Sequence, residues 1–272
     1  MFLETLFAQG FLVRCPGVRK NCRVFLIPKS SDKVSMIADL RWVNTMSPSP
    51  MPTFILPTVG AVFTFVAGFP PLVLWGATLD LTNFFWILRL PDEFCGVFRV
   101  DGGFWDALPF GWNLSPLVAQ MTLTRVLQGA LHFAGTKWGE EWGLGGFVYL
   151  DAVLILGVGK ERVVEVVRVL VEEIRARRLI LSKKSVLQPT GRVKWLGKWF
   201  DLGARSVENW TPTLVRLLTG VVFACMAPMR VKQLDGLMGL VNWTFQPRPG
   251  FGLFAAGLYD FKDRLRGTRC CP

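Results

Sequence analysis

Two carboxylates stand alone in apolar surroundings. Asp80 sits inside Leu79-Asp80-Leu81, and Asp151 is the one charged residue between Gly143 and Gly159. A carboxylate in such a place is costly unless it is paired, hydrogen-bonded or metal-bound. Two readings follow from the pattern. Either these are separate Asp residues at strand ends or turns, or they meet as ligands for hard cations that serve two-metal phosphoryl transfer. Spacing alone does not choose between them.

Charge favours a polyanionic partner. The 272 residues carry 31 Lys+Arg against 20 Asp+Glu, a formal net charge of +11. Nucleic acid is the first candidate for such a partner and an anionic membrane surface the second. Arg175, Arg177, Arg178, Lys183 and Lys184 crowd one segment, with Arg192, Lys194 and Lys198 following. Either they contact phosphates, or they are a solvated helix end. The 51% hydrophobic content excludes a disordered chain, and 27 Gly and 17 Pro without period exclude a collagen-like one. Six cysteines show no C-x-x-C pair, and with one His they make no usual zinc set. Their use suits a reduced, intracellular setting, cytoplasmic or nuclear, and His132 is read as structural. The first residues lack the basic start of a signal peptide.

The elements that must position the two Asp residues mix strands and helices without βαβ alternation, which predicts an α+β fold. Strands are expected at Val24–Ile27, with a turn at Lys29–Asp32 and a returning strand at Val34–Asp39, and again at Cys95–Val100. No charge occurs between Arg41 and Asp80. Pro57, Pro70 and Pro71 would break a spanning helix, so 54–76 is read as short buried pieces rather than a membrane span. Ser115-Pro116 looks like a cap and first position of a helix running to Phe133, with Leu117, Met121, Thr124, Leu127 and Gln128 at helical spacing. Two apolar runs meeting at Asp151 predict a hairpin with the carboxylate near its tip. A helix over 161–178 follows, acidic at its start and basic at its end, with Val163, Val167, Leu170 and Ile174 as its buried stripe. Lys194–Phe200 is expected to be a strand or hairpin, Thr211–Met226 a helix, and 201–210 the best boundary.

Several segments resemble motifs of reverse transcriptases, in their order. Leu79 to Phe85 (LDLTNFF), Leu108 to Pro116 (LPFGWNLSP) and Val148 to Ala152 (VYLDA) are similar to motifs A, B and C. Lys183-Lys184-Ser185, Pro189-Thr190 and Trp195-Leu196-Gly197 resemble motifs D and E. Asp39, Arg41 and Asn44 resemble the fingers motif D-x-R-x-x-N. The Leu-Pro-Phe-Gly wording and the run that ends in Leu196-Gly197 are nearest to tyrosine-recombinase retrotransposons, the DIRS-like group with VIPER-type elements, and Leu237 to Trp243 looks like the segment that follows in them. The resemblance covers roughly residues 20 to 245.

The resemblance implies a right-hand polymerase fold. Residues 1–55 and 91–112 would form the fingers, 56–90 and 113–200 the palm with an antiparallel sheet, and 201–272 the start of a helical thumb or connection. It implies RNA-templated DNA synthesis on a primed RNA or DNA template from deoxynucleoside triphosphates. Asp80 and Asp151 would hold two Mg²⁺ ions, with Mn²⁺ as the alternative. Phe85 would be the steric gate, Lys29 a triphosphate contact, and Lys184 a proton donor to pyrophosphate. Phe110 and Gly111 would lie beside the nucleotide, and Trp195, Leu196 and Gly197 would form the primer grip. Three positions depart from the family pattern: Ala152 stands where a second carboxylate is usual, Ser35 where an arginine is, and Phe84 where a small residue is. The site is therefore expected to be degenerate and impaired. The alternative is a non-catalytic relative that binds nucleic acid or a protein.

Overall fold

The computed structural model describes residues 2–8, 10–17, 21–30, 33–70, 74–138, 143–209, 211–226 and 231–245. Its first part holds α1 (Phe2–Ala8), β1 (Leu12–Arg14), β2 (Arg23–Ser30), β3 (Lys33–Asp39), α2 (Arg41–Thr45) and α3 (Val59–Ala67). β2 and β3 form an antiparallel hairpin in the expected register region, with Phe25 opposite Ile37. The expected turn is shorter than read: Lys29 belongs to β2, and 31–32 lie outside the described residues. The uncharged stretch is divided by its prolines. α3 begins after Pro57, where Thr58 Oγ1 accepts from Ala61 N–H at 3.0 Å, and ends at Gly68 before Pro70. Among the described residues no helix is long and apolar enough to cross a membrane.

The centre is a fully antiparallel sheet. It contains β4 (Leu74–Thr82), β7 (Leu144–Tyr149), β8 (Ala152–Val158) and β10 (Val186–Thr190) in the order β10-β4-β8-β7, and β9 (Ile180–Leu181) pairs with the end of β4. Between β4 and β7 lie α4 (Phe84–Ile87), α5 (Asp92–Cys95), β5 (Arg99–Val100), β6 (Gly103–Trp105) and α6 (Ser115–Trp138). β6 pairs with β1 on one edge and β5 on the other. The predicted strand at Cys95–Val100 is thus mostly absent. Pro91 followed by Asp92 and Glu93 starts a helical turn instead, because acidic residues suit a helix N-terminus. α7 (Lys160–Ala176) follows β8.

Strand alternation sorts the core into two layers. Ala77, Leu79 and Leu81 of β4, with Val153 and Ile155 of β8, face α6 and α7. Val163, Val167, Leu170 and Ile174 of α7 are all buried there, as the helical spacing predicts. On the other face, Leu74, Leu154 and Leu156 pack with Val59, Val62 and Val66 of α3 and with Val193, Trp195 and Phe200. The α6 stripe differs from its reading. Met121 and Gln128 are exposed, whereas Ala119, Leu123, Leu127, Ala130 and Ala134 are buried. Ser115 is the first helical residue rather than the residue before the helix, and its hydroxyl donates to the Pro109 carbonyl at 2.7 Å.

The last described part is β11 (Arg192–Trp195), β12 (Lys198–Asp201), β13 (Ser206–Asn209), α8 (Thr211–Met226) and α9 (Val231–Phe245). β11, β12 and β13 make a three-stranded antiparallel sheet, so 201–209 is a hairpin folded back on β12. α8 and α9 pack together, with Leu217 and Met238 buried.

Candidate active site

Register brings the two singled-out Asp residues to adjoining backbone positions. Asp80 on β4 lies opposite Ala152 on β8, and Asp151 is the preceding residue, in the two-residue turn between β7 and β8. Leu81 N–H donates to the Asp151 carbonyl at 2.9 Å. Asp80 and Ala152 are therefore a non-hydrogen-bonded pair, the kind whose side chains stand close, with Cβ atoms about 4.5–5.5 Å apart. By alternation both belong to the face opposite α6 and α7. Asp80 and Asp151 are each half-buried. Among the described residues no group of three or more His, Cys, Asp or Glu gathers to hold a metal ion.

The other backbone edge of Asp80 is held by the segment carrying Lys184. Ser182 N–H donates to the Asp80 carbonyl at 2.8 Å. Ser185 Oγ accepts from Asp80 N–H at 3.0 Å and is 3.2 Å from the Asp80 carbonyl. Lys184 itself is exposed, in a turn where its N–H meets Ser182 Oγ at 3.2 Å. Thus Asp80, Asp151 and Lys184 share one neighbourhood.

Phe85 and Phe110 also meet. Their rings stack at 4.8 Å with 27° between planes, Phe85 being 8% and Phe110 39% exposed. Asn83, in left-handed backbone with φ +56°, turns the chain from β4 into the short α4 that carries Phe84 and Phe85. Gly111 has φ +111°, and a Cβ there would stand 2.5 Å from the Ala38 carbonyl oxygen. Its close approach is to β3, where Ala38 N–H donates to the Phe110 carbonyl at 3.2 Å. Asn44 completes the tie: Nδ2 donates to the Gly111 carbonyl at 2.9 Å, and Oδ1 accepts from Asn113 N–H at 3.0 Å. Arg41 forks onto Asp39 at 2.8 and 2.7 Å, and that pairing holds the Asp39 carboxyl down at about 2. These residues line a cavity of about 300 Å³ with Phe25, Ile37 and Gly111. Lys29 lies on β2, and Ser35 lies opposite Ile27 on β3; both side chains fall outside the described set.

Trp195, Leu196 and Gly197 form the tip of the β11–β12 hairpin, with Leu196 and Gly197 both at positive φ. Trp195 is 3% exposed, in the core layer with Phe147 at 6.4 Å, so the indole supports the hairpin from beneath. The basic cluster divides. Arg175, Arg178, Lys183 and Lys184 are exposed, but Arg177 pairs with Glu173 and Arg192 with Glu208. Lys198 is buried, which removes it from any phosphate-contacting set.

Sequence reasoning passed over Gln120. From α6 its Nε2 donates to the Val148 carbonyl at 2.7 Å, and its Oε1 accepts from Leu150 N–H at 2.8 Å. It clamps the turn that carries Asp151. The signal was a polar amide on an otherwise apolar helix face. A groove of about 660 Å³ beside it is lined by Phe54, Met121, Thr124, Arg125 and Arg177.

An antiparallel sheet backed by two helices, with Asp80 at the end of β4, Asp151 in the adjoining turn and a hairpin leading into a helix pair, is a fold of the right-hand polymerase type. Residues 27–200 match the family model for "Reverse transcriptase (RNA-dependent DNA polymerase)", and the chain belongs to that family. It is 24% identical over 261 residues to the Pro-Pol polyprotein of feline foamy virus, covering 94% of this chain and 20% of that one. It is also 24% identical over 234 residues to the Gag-Pol polyprotein of avian reticuloendotheliosis virus, covering 82% and 19%. The chain thus spans about a fifth of these relatives' length. The foamy viral protease-reverse transcriptase bound to an RNA/DNA hybrid superposes with TM-score 0.69 at 19% identity, covering 96% of this chain and 32% of that one. A form of that protein bound to double-stranded DNA gives 0.65 at 20%, covering 94% and 41%. The right-hand fold is shared.

Proposed function

We propose that this chain is the reverse transcriptase domain of a retroelement, built for RNA-templated DNA synthesis by two-metal nucleotidyl transfer and impaired at Ala152 and Ser35. The Asp80–Ala152 pair carries this reading: two Asp residues adjoin at one end of the central strands, and a methyl group occupies the third position. The fingers, palm and thumb divisions at 1–55, 56–90, 91–112, 113–200 and 201–272 go with it. The Leu108-Pro109-Phe110-Gly111 wording supports the DIRS-like branch, and the free thiols of Cys15 and Cys22 suit an intracellular setting.

Hard oxygen donors on Asp80 and Asp151 fit Mg²⁺ or Mn²⁺. Such ions, when bound, would activate the primer 3′-hydroxyl and neutralise the triphosphate. The protein's own groups do the rest. The Phe85 ring, backed by Phe110, excludes a ribose 2′-hydroxyl. Gly111 keeps the loop at the nucleotide against β3. Lys29 meets the triphosphate, and Lys184, beside the Asp80 strand, gives a proton to departing pyrophosphate. The Trp195–Gly197 hairpin supports the primer end, and the exposed basic residues meet template phosphates in a salt-sensitive way. Ala152 offers no ligand and Ser35 no guanidinium fork. If each lost contact is worth about 2–4 kcal/mol, each slows the reaction roughly 30- to 1000-fold.

Primer extension with Mg²⁺ and Mn²⁺ tests this. The wild-type chain is expected to bind primer–template and extend it weakly. Ala152→Asp is expected to raise extension about 30-fold or more, since its carboxylate enters beside Asp80. Failure of Ala152→Asp with Ser35→Arg, with binding intact, would favour the second reading that Ala152 supports: a non-catalytic nucleic-acid-binding or interaction module.

A further inference from the structure

The α8–α9 pair meets the β11–β13 sheet through a buried polar knot. Lys198 opens β12 directly after the Leu196-Gly197 turn and is 1% exposed. Its Nζ donates to Asn209 Oδ1 at 2.5 Å and to the Thr244 carbonyl at 3.3 Å. The same ammonium lies 5.3 Å from the centroid of the Trp243 ring. Asn209, opposite Lys198 in the β12–β13 ladder, donates through Nδ2 to that carbonyl at 3.1 Å.

Thr244 is the penultimate residue of α9, so its carbonyl is among the four at the C-terminus that have no partner within the helix. The negative end of a helix attracts a cation, and a ring face does so as well. Lys198 thus satisfies α9's open end from inside the protein. Its hydrogen-bond partners among the described residues are neutral oxygens, so the helix end and the ring offset only part of its desolvation. Moving α9 away would break both hydrogen bonds to the Thr244 carbonyl and the contact with the Trp243 ring together. An ordinary core position would be filled by Leu or Met, without this directional tie.

We infer that Lys198 is a positioning residue: it fixes α9, and with it the helix pair, against the Trp195–Gly197 hairpin, so that a primer–template duplex is held between them. The inference rests on the reading of that hairpin as the primer grip. It concerns retention of the duplex, not the chemical step.

The test uses the full chain and a labelled primer–template duplex. Lys198→Met keeps the length and removes the charge. Hydrogen exchange across 237–245 is expected to speed up tenfold or more, with exchange in β4 and β8 unchanged. The duplex dissociation rate is expected to rise about tenfold with little change in association. Lys198→Arg should restore part of the retention. Asn209→Ala, which keeps Lys198 but removes one partner, should move both readouts in the same direction by less, and it decides the matter if Lys198→Met does not fold. Unchanged α9 exchange and unchanged dissociation in a folded variant would overturn the inference. A wild-type chain that binds no duplex would instead defeat the functional reading, while α9 exchange in the variants still decides whether Lys198 holds the helix.

Discussion

Replacing Gln120 with Leu should loosen the turn that carries Asp151 while leaving the helix that bears it intact. The turn is strained on its own terms. Two residues, Leu150 and Asp151, link Tyr149 to Ala152, and Leu150 has φ +55°, where glycine is the usual occupant. A left-handed Leu costs roughly 1–2 kcal/mol. Gln120 offsets this with two hydrogen bonds from a side chain that is itself buried. Gln120→Leu preserves approximate volume but leaves Leu150 N–H and the Val148 carbonyl without those partners. At about 1–3 kcal/mol for each stranded group, the loss is roughly 2–6 kcal/mol. At roughly 2–4 °C per kcal/mol that lowers the unfolding midpoint by about 4–24 °C. Thermal unfolding followed by circular dichroism reads the midpoint, and hydrogen exchange reads the Leu150 amide. In an Ala152→Asp background, extension should fall by tenfold or more, because the carboxylates would no longer be held in place. Gln120→Glu keeps the acceptor for Leu150 and should lose less than Gln120→Leu. A midpoint within 1 °C of wild type, with the Leu150 amide equally protected, would refute the clamp.

Gly111→Ala should destabilise the chain by roughly 2–3 kcal/mol in urea denaturation, because the added Cβ meets a carbonyl oxygen at a positive φ; the same change without loss would mean the loop is not seated on β3. Burial pushes the Lys198 ammonium down to about 8, below its ordinary 10.5. The unfolded chain then binds more protons between these values, so wild-type stability should rise with pH from about 8 to 10.5, by up to roughly 3 kcal/mol, relative to Lys198→Met. Parallel urea titrations of the two proteins check this, and parallel slopes would contradict the burial of the charge.

What could be read in the sequence was carried by long-period contrast. Two apolar runs meeting at one Asp made the β7–β8 hairpin legible, and an uninterrupted 3.6-residue stripe did the same for α7. Pro57 and Pro70 limited α3 to Val59–Ala67, because proline removes a donor and crowds the preceding turn. Legibility failed where burial is carried by small residues. α6 approaches β7 closely, so Ala119, Ala130 and Ala134 line its inner face, while the larger Met121 points outward. It failed again where a polar atom's partner is distant in the chain. Nothing near Ser115 announces that its hydroxyl donates to the Pro109 carbonyl. Nothing in the basic run from Arg175 to Lys198 tells the exposed Lys184 from the buried Lys198, whose partners lie on β13 and α9. Nothing near Gly111 announces that a side chain there would meet the Ala38 carbonyl of β3.

On the proposed reading, the position that would weaken catalysis is also one that the fold accepts readily. Ala152 is half-buried at the edge of the second core layer, opposite Asp80 and next to Asp151. A third carboxylate there would stand close to two others and, without cations, would raise their protonation and oppose folding. Alanine avoids that repulsion and keeps the β8 pairing, so on the proposed reading it would cost activity without costing structure. The pairing of β4 with β8, the Gln120 clamp and the Ser185 tie to Asp80 do not depend on what residue 152 is. Survival of the fold is therefore no sign of survival of the reaction. If the site is impaired as proposed, loss-of-function changes at Asp80 or Asp151 would report little, whereas placing a carboxylate at 152 tests whether everything around it stands in working order.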